Sequence, residues 1–197
     1  MKNNPGEEKI LNAALHVVAK STISGTSTRM IAEEAGVAPS NIHYYFTNKE
    51  DLMDRLQIKV SKRGIDFRKE KEKYLDPKNF FEAMDLFILQ KMDFILLEKD
   101  FDFTDFDFWQ QSRASEKCRE RVAESYEAWR QEIKDRVIEP FAGDVTEFDR
   151  EQMAYVIVSL LQGASLQYHL QGFNLEGYFS YCKRVIQTML KVGSGEG

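Results

Sequence analysis

Residues 27–50 read STRMIAEEAGVAPSNIHYYFTNKE. Within Pro39–Phe46, Ile42 and Phe46 stand four apart and share one buried face of a helix. That leaves Ser40, Asn41, His43, Tyr44 and Tyr45 directed mostly outward. Three adjacent rings facing water are unusual, because apolar ring area prefers burial. Upstream, Met30, Ile31 and Ala35 mark a short helix, opened by Ser27 or Thr28 as N-cap and stopped at Gly36. Val37 plugs the turn, and Pro39 starts the next helix, where its missing N–H costs nothing. Ala38 offers no cap, so Pro39 does more of the initiating. Ile31, Val37, Ile42 and Phe46 form the apolar seam between the two helices. A first helix over residues 7–20, with its stripe of Ile10, Leu11, Ala14, Leu15 and Val18, closes a three-helix core. This is the grammar of a helix-turn-helix whose second helix enters a major groove. Ser40 and Asn41 would present donors and acceptors to base edges. Tyr hydroxyls and the His N–H would reach phosphate oxygens.

Beyond this unit helical periodicity continues and strand signals are almost absent. Thr47 and Glu50 are spaced as a capping box for a fourth helix over about 48–74. Gly64 interrupts it, marking either a flexible point or a close helix crossing, and LDPKN breaks it. Further helices are expected at about 79–98, 104–114, 116–138, 149–171 and 174–191, with Pro140, Gly143 and Gly172 as separators. The expected fold is all-α: an N-terminal three-helix helix-turn-helix unit, joined by a long helix to a C-terminal helical bundle with dimerisation helices. The expected domains are 1–50 and 51–192, followed by a disordered tail at 193–197.

Charge divides along the same line. Residues 1–63 carry nine Lys and Arg against seven Asp and Glu, and residues 64–197 carry eighteen against twenty-five. A mildly basic front on an acidic body indicates two separate jobs. The chain of 197 residues has no run of about 18 apolar residues and its N-terminus has no apolar signal region, so a cytoplasmic protein without a membrane partner is expected. Cys118 and Cys182 lack metal or redox spacing and read as reduced, buried thiols, although their number also admits a disulfide. The DFDFTDFDF run at 100–108 fails as a calcium loop, which would need Gly at Asp105 and Glu at Gln111. It reads instead as a helix start, with Thr104 as cap and Asp105 and Asp107 at the positive end of the dipole. No metal or cofactor is expected. An all-helical enzyme would rest only on the lone His16, His43 and His169 and scattered acids. No phosphate loop, HExxH, GxSxG or Glu-x-x-His pair occurs, so no catalytic residue is assigned.

The stretch TSTRMIAEEAGVAPSNIHYYFTNKEDLMDRL resembles the N-terminal DNA-binding unit of the TetR family of bacterial transcription regulators, over roughly residues 8–56. The resemblance rests on Ile-Ala, Ala-Gly-Val, the aromatic-rich second helix ending in Phe, and Asn-Lys-Glu-x-Leu. The family usually has Tyr at His43 and often His at Tyr45. The resemblance implies DNA contacts from Thr28, Arg29, Pro39, Ser40, Asn41, His43, Tyr44, Tyr45 and Lys49, the last on a phosphate. Residues 79–192 carry twelve of the fourteen Phe and both Trp, which could line a cavity or only fill a core. The family holds a small-molecule effector among the corresponding helices. Candidate contacts are Phe106, Trp109, Gln110, Arg113, Tyr126, Trp129 and Gln162. It also packs its last two helices against a twin, which here implies a homodimer through Ile157, Val158, Leu161, Ser165, Tyr178, Tyr181, Val185 and Met189. The function so implied is a dimeric repressor on a palindromic double-stranded operator, released by a small hydrophobic or aromatic effector. The other readings are the all-helical enzyme and a DNA-bound regulator without an effector.

Overall fold

The computed structural model describes residues 4–72, 76–141 and 146–193, without the side chains of 71, 72 and 189–193. The expected break after Tyr74, the Gly143 separator, the side chain of Met189 and the tail beyond Gly193 lie outside the described residues. Helices form at α1 (Pro5–Gly25), α2 (Thr28–Glu34), α3 (Pro39–Tyr45), α4 (Lys49–Glu72), α5 (Phe80–Leu96), α6 (Lys99–Gln111), α7 (Glu116–Ile133), α8 (Glu147–Gln171) and α9 (Leu175–Gly193). Among the described residues there is no strand.

Local chemistry sets most boundaries. Asn4 Oδ1 accepts from the Gly6 N–H at 3.1 Å, Pro5 opens α1, and Glu7 and Glu8 sit at the positive end of its dipole. Asn79 caps α5, accepting from the Glu82 N–H at 3.0 Å, and Thr146 caps α8, accepting from the Asp149 N–H at 3.1 Å. Helix α8 stops at Gly172, whose φ of 65° suits glycine. Helix α4 runs through Gly64 without a break.

Three boundaries differ from the sequence reading. The cap of α4 lies one residue later than expected: Asn48 Oδ1 accepts from the Asp51 N–H at 2.9 Å, and Asp51 reaches back to the Thr47 N–H at 2.9 Å. Thr104 is no cap. Helix α6 begins five residues before it, and the Thr104 side chain is buried in mid-helix. The helix expected to run evenly to 138 loosens into a π-helical segment at Lys134–Ile138, followed by a single helical turn at Glu139–Phe141. Pro140 lies in that turn; it lacks the N–H that would bond to the Arg136 carbonyl, and its ring crowds the preceding turn.

The chain divides into two compact units, Met1–Ile65 with Glu98–Ala123, and Asp66–Leu97 with Glu124–Gly197. In the first unit Ile10, Ala14, Val18, Ile31, Ile42, Phe46, Leu52 and Leu56 build one core, joined by Phe108 and Cys118. Helix α6 lies along α1 with an acidic and polar face inward: Asp102, Thr104 and Asp107 are all buried. Near its end α1 kinks at Thr22, whose φ is 67° and ψ 163°.

In the second unit α5, α8, α9 and the π segment enclose Phe87, Ile133, Ile138, Ile157, Leu161 and Ala164. Tyr178 Oη donates to the Leu160 carbonyl at 3.1 Å, tying α9 to α8, and burial pushes that hydroxyl up to about 12, so it stays a donor. Lys183 Nζ pairs with Asp85 at 2.6 Å, tying α9 to α5.

One expectation fails here. Ile157, Val158, Leu161 and Ser165 do not face a partner; they are sealed in the chain's own core, at most 4% exposed. Helix α8 turns that stripe inward because α5, α9 and the π segment pack on it. Its outward apolar side chains are Phe148, Tyr155, Leu166 and Leu170, the last 78% exposed. Of the expected α9 residues, Tyr181 is 61% exposed, whereas Tyr178 and Val185 are half-buried.

Candidate functional site

The turn between α2 and α3 is fixed by backbone bonds. The Gly36 N–H donates to the Glu33 carbonyl at 3.0 Å and the Val37 N–H to the Ala32 carbonyl at 3.0 Å, which closes α2 as a Schellman turn. This needs a left-handed residue at position 36, and Gly36 supplies it with φ 60°. Val37 then packs half-buried against the core. Ser27, not Thr28, caps α2, accepting from the Met30 N–H at 3.2 Å. Helix α3 starts at Pro39 with no side-chain cap at Ala38. Ile42 and Phe46, each 1% exposed, anchor α3 from beneath. Below Phe46, the Arg55 guanidinium lies 5.2 Å from the ring and pairs with Glu7 on α1 at 2.9 Å and Asp51 on α4 at 3.2 Å. The Thr47 N–H, followed by Arg55, holds the Asp51 carboxyl below its usual range.

The outward surface of α3 is then set. Pro39, Ser40, Asn41, His43 and Tyr44 are exposed, Tyr44 to 80%; on α2, Arg29 is exposed and Thr28 half-buried. Tyr45 differs from the expectation of a free ring. It is half-buried, meets Tyr44 edge-on at 4.8 Å, and lies over Gly6 so closely that a Cβ there would come within 2.2 Å of its hydroxyl oxygen. Gly6 therefore leaves the space that sets the Tyr45 ring.

Lys49 is also held. Its Nζ donates to the Ile23 carbonyl at 2.7 Å, and the adjoining Ile23 N–H donates to the Asp107 carboxylate. The Ile23 N–H lies just past the α1 kink and finds a side-chain partner there, while its carbonyl accepts from the Thr26 N–H at 3.3 Å as well as from Lys49. Burial raises the Asp107 carboxyl above its usual value, against the lowering effect of the Ile23 N–H and the Lys49 charge. Sequence reasoning missed Asp107 in this role, because the acid run around it resembles a solvated helix start. His16 likewise bridges elements: Nδ1 lies 2.9 Å from Asp100 on α6 and Nε2 3.6 Å from Glu34 on α2.

The effector candidates fall in both units. In the first, Phe106 is half-buried on α6, Trp109 is 56% exposed, and Gln110 and Arg113 are exposed. In the second, Tyr126 and Trp129 stack edge-to-face at 6.2 Å on α7, and Gln162 Oε1 accepts from the buried Lys91 Nζ at 3.0 Å. Sequence reasoning overlooked Arg68, which is 5% exposed; its Nη1 donates to Gln90 Oε1 at 2.8 Å and its Nη2 pairs with Glu132. A single Arg in an amphipathic helix gives no sign of burial. Cys118 and Cys182 are free and buried, and burial raises both thiols. Among the described residues no group of His, Cys, Asp and Glu could hold a metal ion, and no helix is long and apolar enough to cross a membrane.

Comparison with known proteins agrees with this arrangement. The family model described as bacterial regulatory proteins, tetR family, matches residues 10–56. The model described as BetI-type transcriptional repressor, C-terminal, matches residues 104–191. An uncharacterized HTH-type transcriptional regulator of Bacillus subtilis, YvdT, is 23% identical over 95% of this chain and 94% of its own. Two solved structures share the fold. A transcriptional regulator from Saccharomonospora viridis in complex with choline has a TM-score of 0.77 at 19% identity, over 92% of this chain and 95% of its own. FadR from Bacillus subtilis in complex with stearoyl-CoA has a TM-score of 0.71 at 18% identity, over 96% and 99%. A glycine-locked turn, a second helix anchored by Ile42 and Phe46, and family matches over both the front helices and the C-terminal bundle lead to one assignment. The chain belongs to the tetR family of bacterial transcriptional regulators.

Proposed function

We propose that the protein is a ligand-responsive repressor that binds a palindromic DNA operator as a homodimer. The observation carrying this reading is the surface of α3, where Ser40, Asn41, His43 and Tyr44 are exposed while Ile42 and Phe46 hold the helix rigidly from behind. Ser40 and Asn41 would meet base edges. Tyr44 and His43, with Arg29 and Thr28 from α2, would meet phosphates and thymine methyl groups. Tyr45 would contribute its hydroxyl edge. Lys49 would act chiefly by holding Ile23, with its remaining ammonium protons left for a phosphate. Helix α3 contains no Lys or Arg, so affinity would depend on presenting two copies to half-sites about 34 Å apart.

The twin would pack on the outward apolar side chains Tyr155, Leu166, Leu170 and Tyr181, in place of the buried stripe. Two neighbours of the same fold carry small molecules, choline and stearoyl-CoA, and this supports an effector for the present chain. The effector would favour a state in which the paired reading helices no longer match groove spacing, a population shift with coupling of about 1–3 kcal/mol. A gel shift on the duplex upstream of its own coding region tests this. Binding should weaken as salt rises and be lost in Tyr44→Ala combined with Asn41→Ala. Failure of the wild-type protein to retard that duplex at low ionic strength refutes it.

A further inference from the structure

Helix α3 is too short to hold its own direction. It has seven residues and no side-chain cap at Ala38, and helices of that length are not stable in water without tertiary support. Ile42 and Phe46 fix which face is buried, but apolar burial is non-directional and does not by itself set where the other face points. Directional contacts gather at the C-terminal end of α3, and they converge on one side chain. The Arg55 guanidinium lies 5.2 Å from the centroid of the Phe46 ring, which ends the helix. Its Nη1 pairs with Glu7 in the first turn of α1 at 2.9 Å, and its Nε with Asp51 in the first turn of α4 at 3.2 Å. Asp51 in turn accepts at 2.9 Å from the Thr47 N–H, the peptide group directly after Phe46. One planar cation thus ties the end of α3 to both α1 and α4. The residues on either side of Glu7 extend the same seam: Gly6 lies against the Tyr45 ring, and Glu8 pairs with Lys59 of α4.

Resting on the DNA-binding reading above, we infer that Arg55 is a positioning residue for sequence recognition. By holding Phe46, Glu7 and Asp51 together it sets the direction in which α3 presents Ser40 and Asn41. The two ion pairs are partly exposed, and such pairs add little to stability, so the loss of Arg55 acts on the aim of α3 more than on the fold. Misaim weakens the contacts to base edges and spares the contacts to phosphates, which carry no sequence information.

The test is fluorescence anisotropy of the full chain on two duplexes of equal length, the one upstream of its own coding region and a shuffled version of it, over a series of salt concentrations. Each variant is first shown by circular dichroism to be folded at the assay temperature. Arg55→Met keeps an apolar stem against Phe46 and removes the charged fork. It is expected to weaken the upstream duplex about fivefold and the shuffled one less than about twofold, with the salt slope unchanged. Glu7→Gln leaves α3 and the Phe46 packing untouched, is expected to cost about threefold on the upstream duplex alone, and carries the test if Arg55→Met does not fold. The double variant is expected to bind no more weakly than Arg55→Met, because both residues act through one contact. Equal weakening of both duplexes with a salt slope smaller by about one overturns the inference in favour of a direct phosphate contact. Folded variants that discriminate as well as the wild type, or losses that multiply in the double variant, also overturn it and leave the DNA-binding reading intact. A wild-type protein that binds both duplexes alike, or neither, refutes sequence reading itself and the inference with it.

Discussion

Replacing Thr22 with glycine should stabilise the protein. Thr22 is β-branched, yet it is held at φ 67° and ψ 163°, a region that essentially only glycine enters freely. Such a conformation costs about 1–3 kcal/mol. Two effects oppose its relief. Glycine adds about 0.5–1 kcal/mol of freedom to the unfolded chain. The substitution also removes the hydrogen bond from the Gly25 N–H to Thr22 Oγ1, 3.3 Å long and exposed, which contributes about 0.5 kcal/mol. The bond from Thr26 Oγ1 to the Thr22 carbonyl, 2.7 Å, survives because it uses backbone. Taking the middle of the strain range, the net gain is about 1 kcal/mol. For a chain of 197 residues that raises Tm by roughly 2–4 °C. Urea unfolding followed by circular dichroism should show a higher midpoint with an unchanged slope. Thr22→Ala is the control, since it removes the same hydroxyl but keeps a Cβ in the strained conformation. A glycine variant no more stable than the alanine variant would refute the reasoning.

Other consequences follow from single contacts. Asp107 has its folded pKa raised by burial, so the native state binds more protons than the unfolded chain from the ordinary value of 3.8 upward; wild-type stability measured against Asp107→Asn should therefore fall as pH rises through that window, read by urea unfolding between pH 4 and 7. Gly6→Val drives a side chain into the Tyr45 ring and should cost about 1–3 kcal/mol of stability. Its fluorescence-anisotropy titration should also show weaker duplex binding, and unchanged affinity would remove Tyr45 from the interface. Tyr44→Ala should leave the melting temperature within about 1 °C, since the ring is exposed, while weakening operator binding by about 1–3 kcal/mol. Leu170→Glu should turn a dimer into a monomer by sedimentation, whereas Ile157→Glu should unfold the chain.

The helix-turn-helix was legible because every layer of its sequence agrees. Gly36 permits only one kind of turn, Pro39 one kind of start, and Ile42 and Phe46 one buried face. The outer surface of α8 was not legible, for a physical reason. Phe148, Tyr155, Leu166 and Leu170 lie outside while Ile157, Leu161 and Ala164 lie inside, so the helix is apolar on both sides and its periodicity does not mark the inner one. The buried Arg68 was hidden for the opposite reason. Helix α4 is strongly charged, and only the positions of Gln90 and Glu132 reveal which of its cations is enclosed.

Helix α6 was misread most fully, and its inversion ties the remaining observations together. Its acids Asp102 and Asp107 point inward, whereas Phe103 and Trp109 are exposed. An amphipathic helix normally does the reverse. The kink at Thr22 ends the regular ladder of α1, so the Ile23 N–H has a side-chain partner in place of a helical one, while its carbonyl keeps the Thr26 N–H at 3.3 Å beside Lys49. Asp107 takes the N–H and Lys49 the carbonyl, and the opposite charges of these two side chains attract across that residue. Strain at Thr22 and burial of Asp107 are then one arrangement, and their substitutions should not add. Asn at 107 still accepts from the Ile23 N–H but no longer balances Lys49. Glycine at 22 lets Ile23 shift toward a better-aligned bond, so Thr22→Gly should soften the loss caused by Asp107→Asn. A double-mutant cycle in urea should give a coupling above about 0.5 kcal/mol. Additivity within roughly 0.3 kcal/mol, the behaviour of independent sites, would show that the kink and the buried acid act separately.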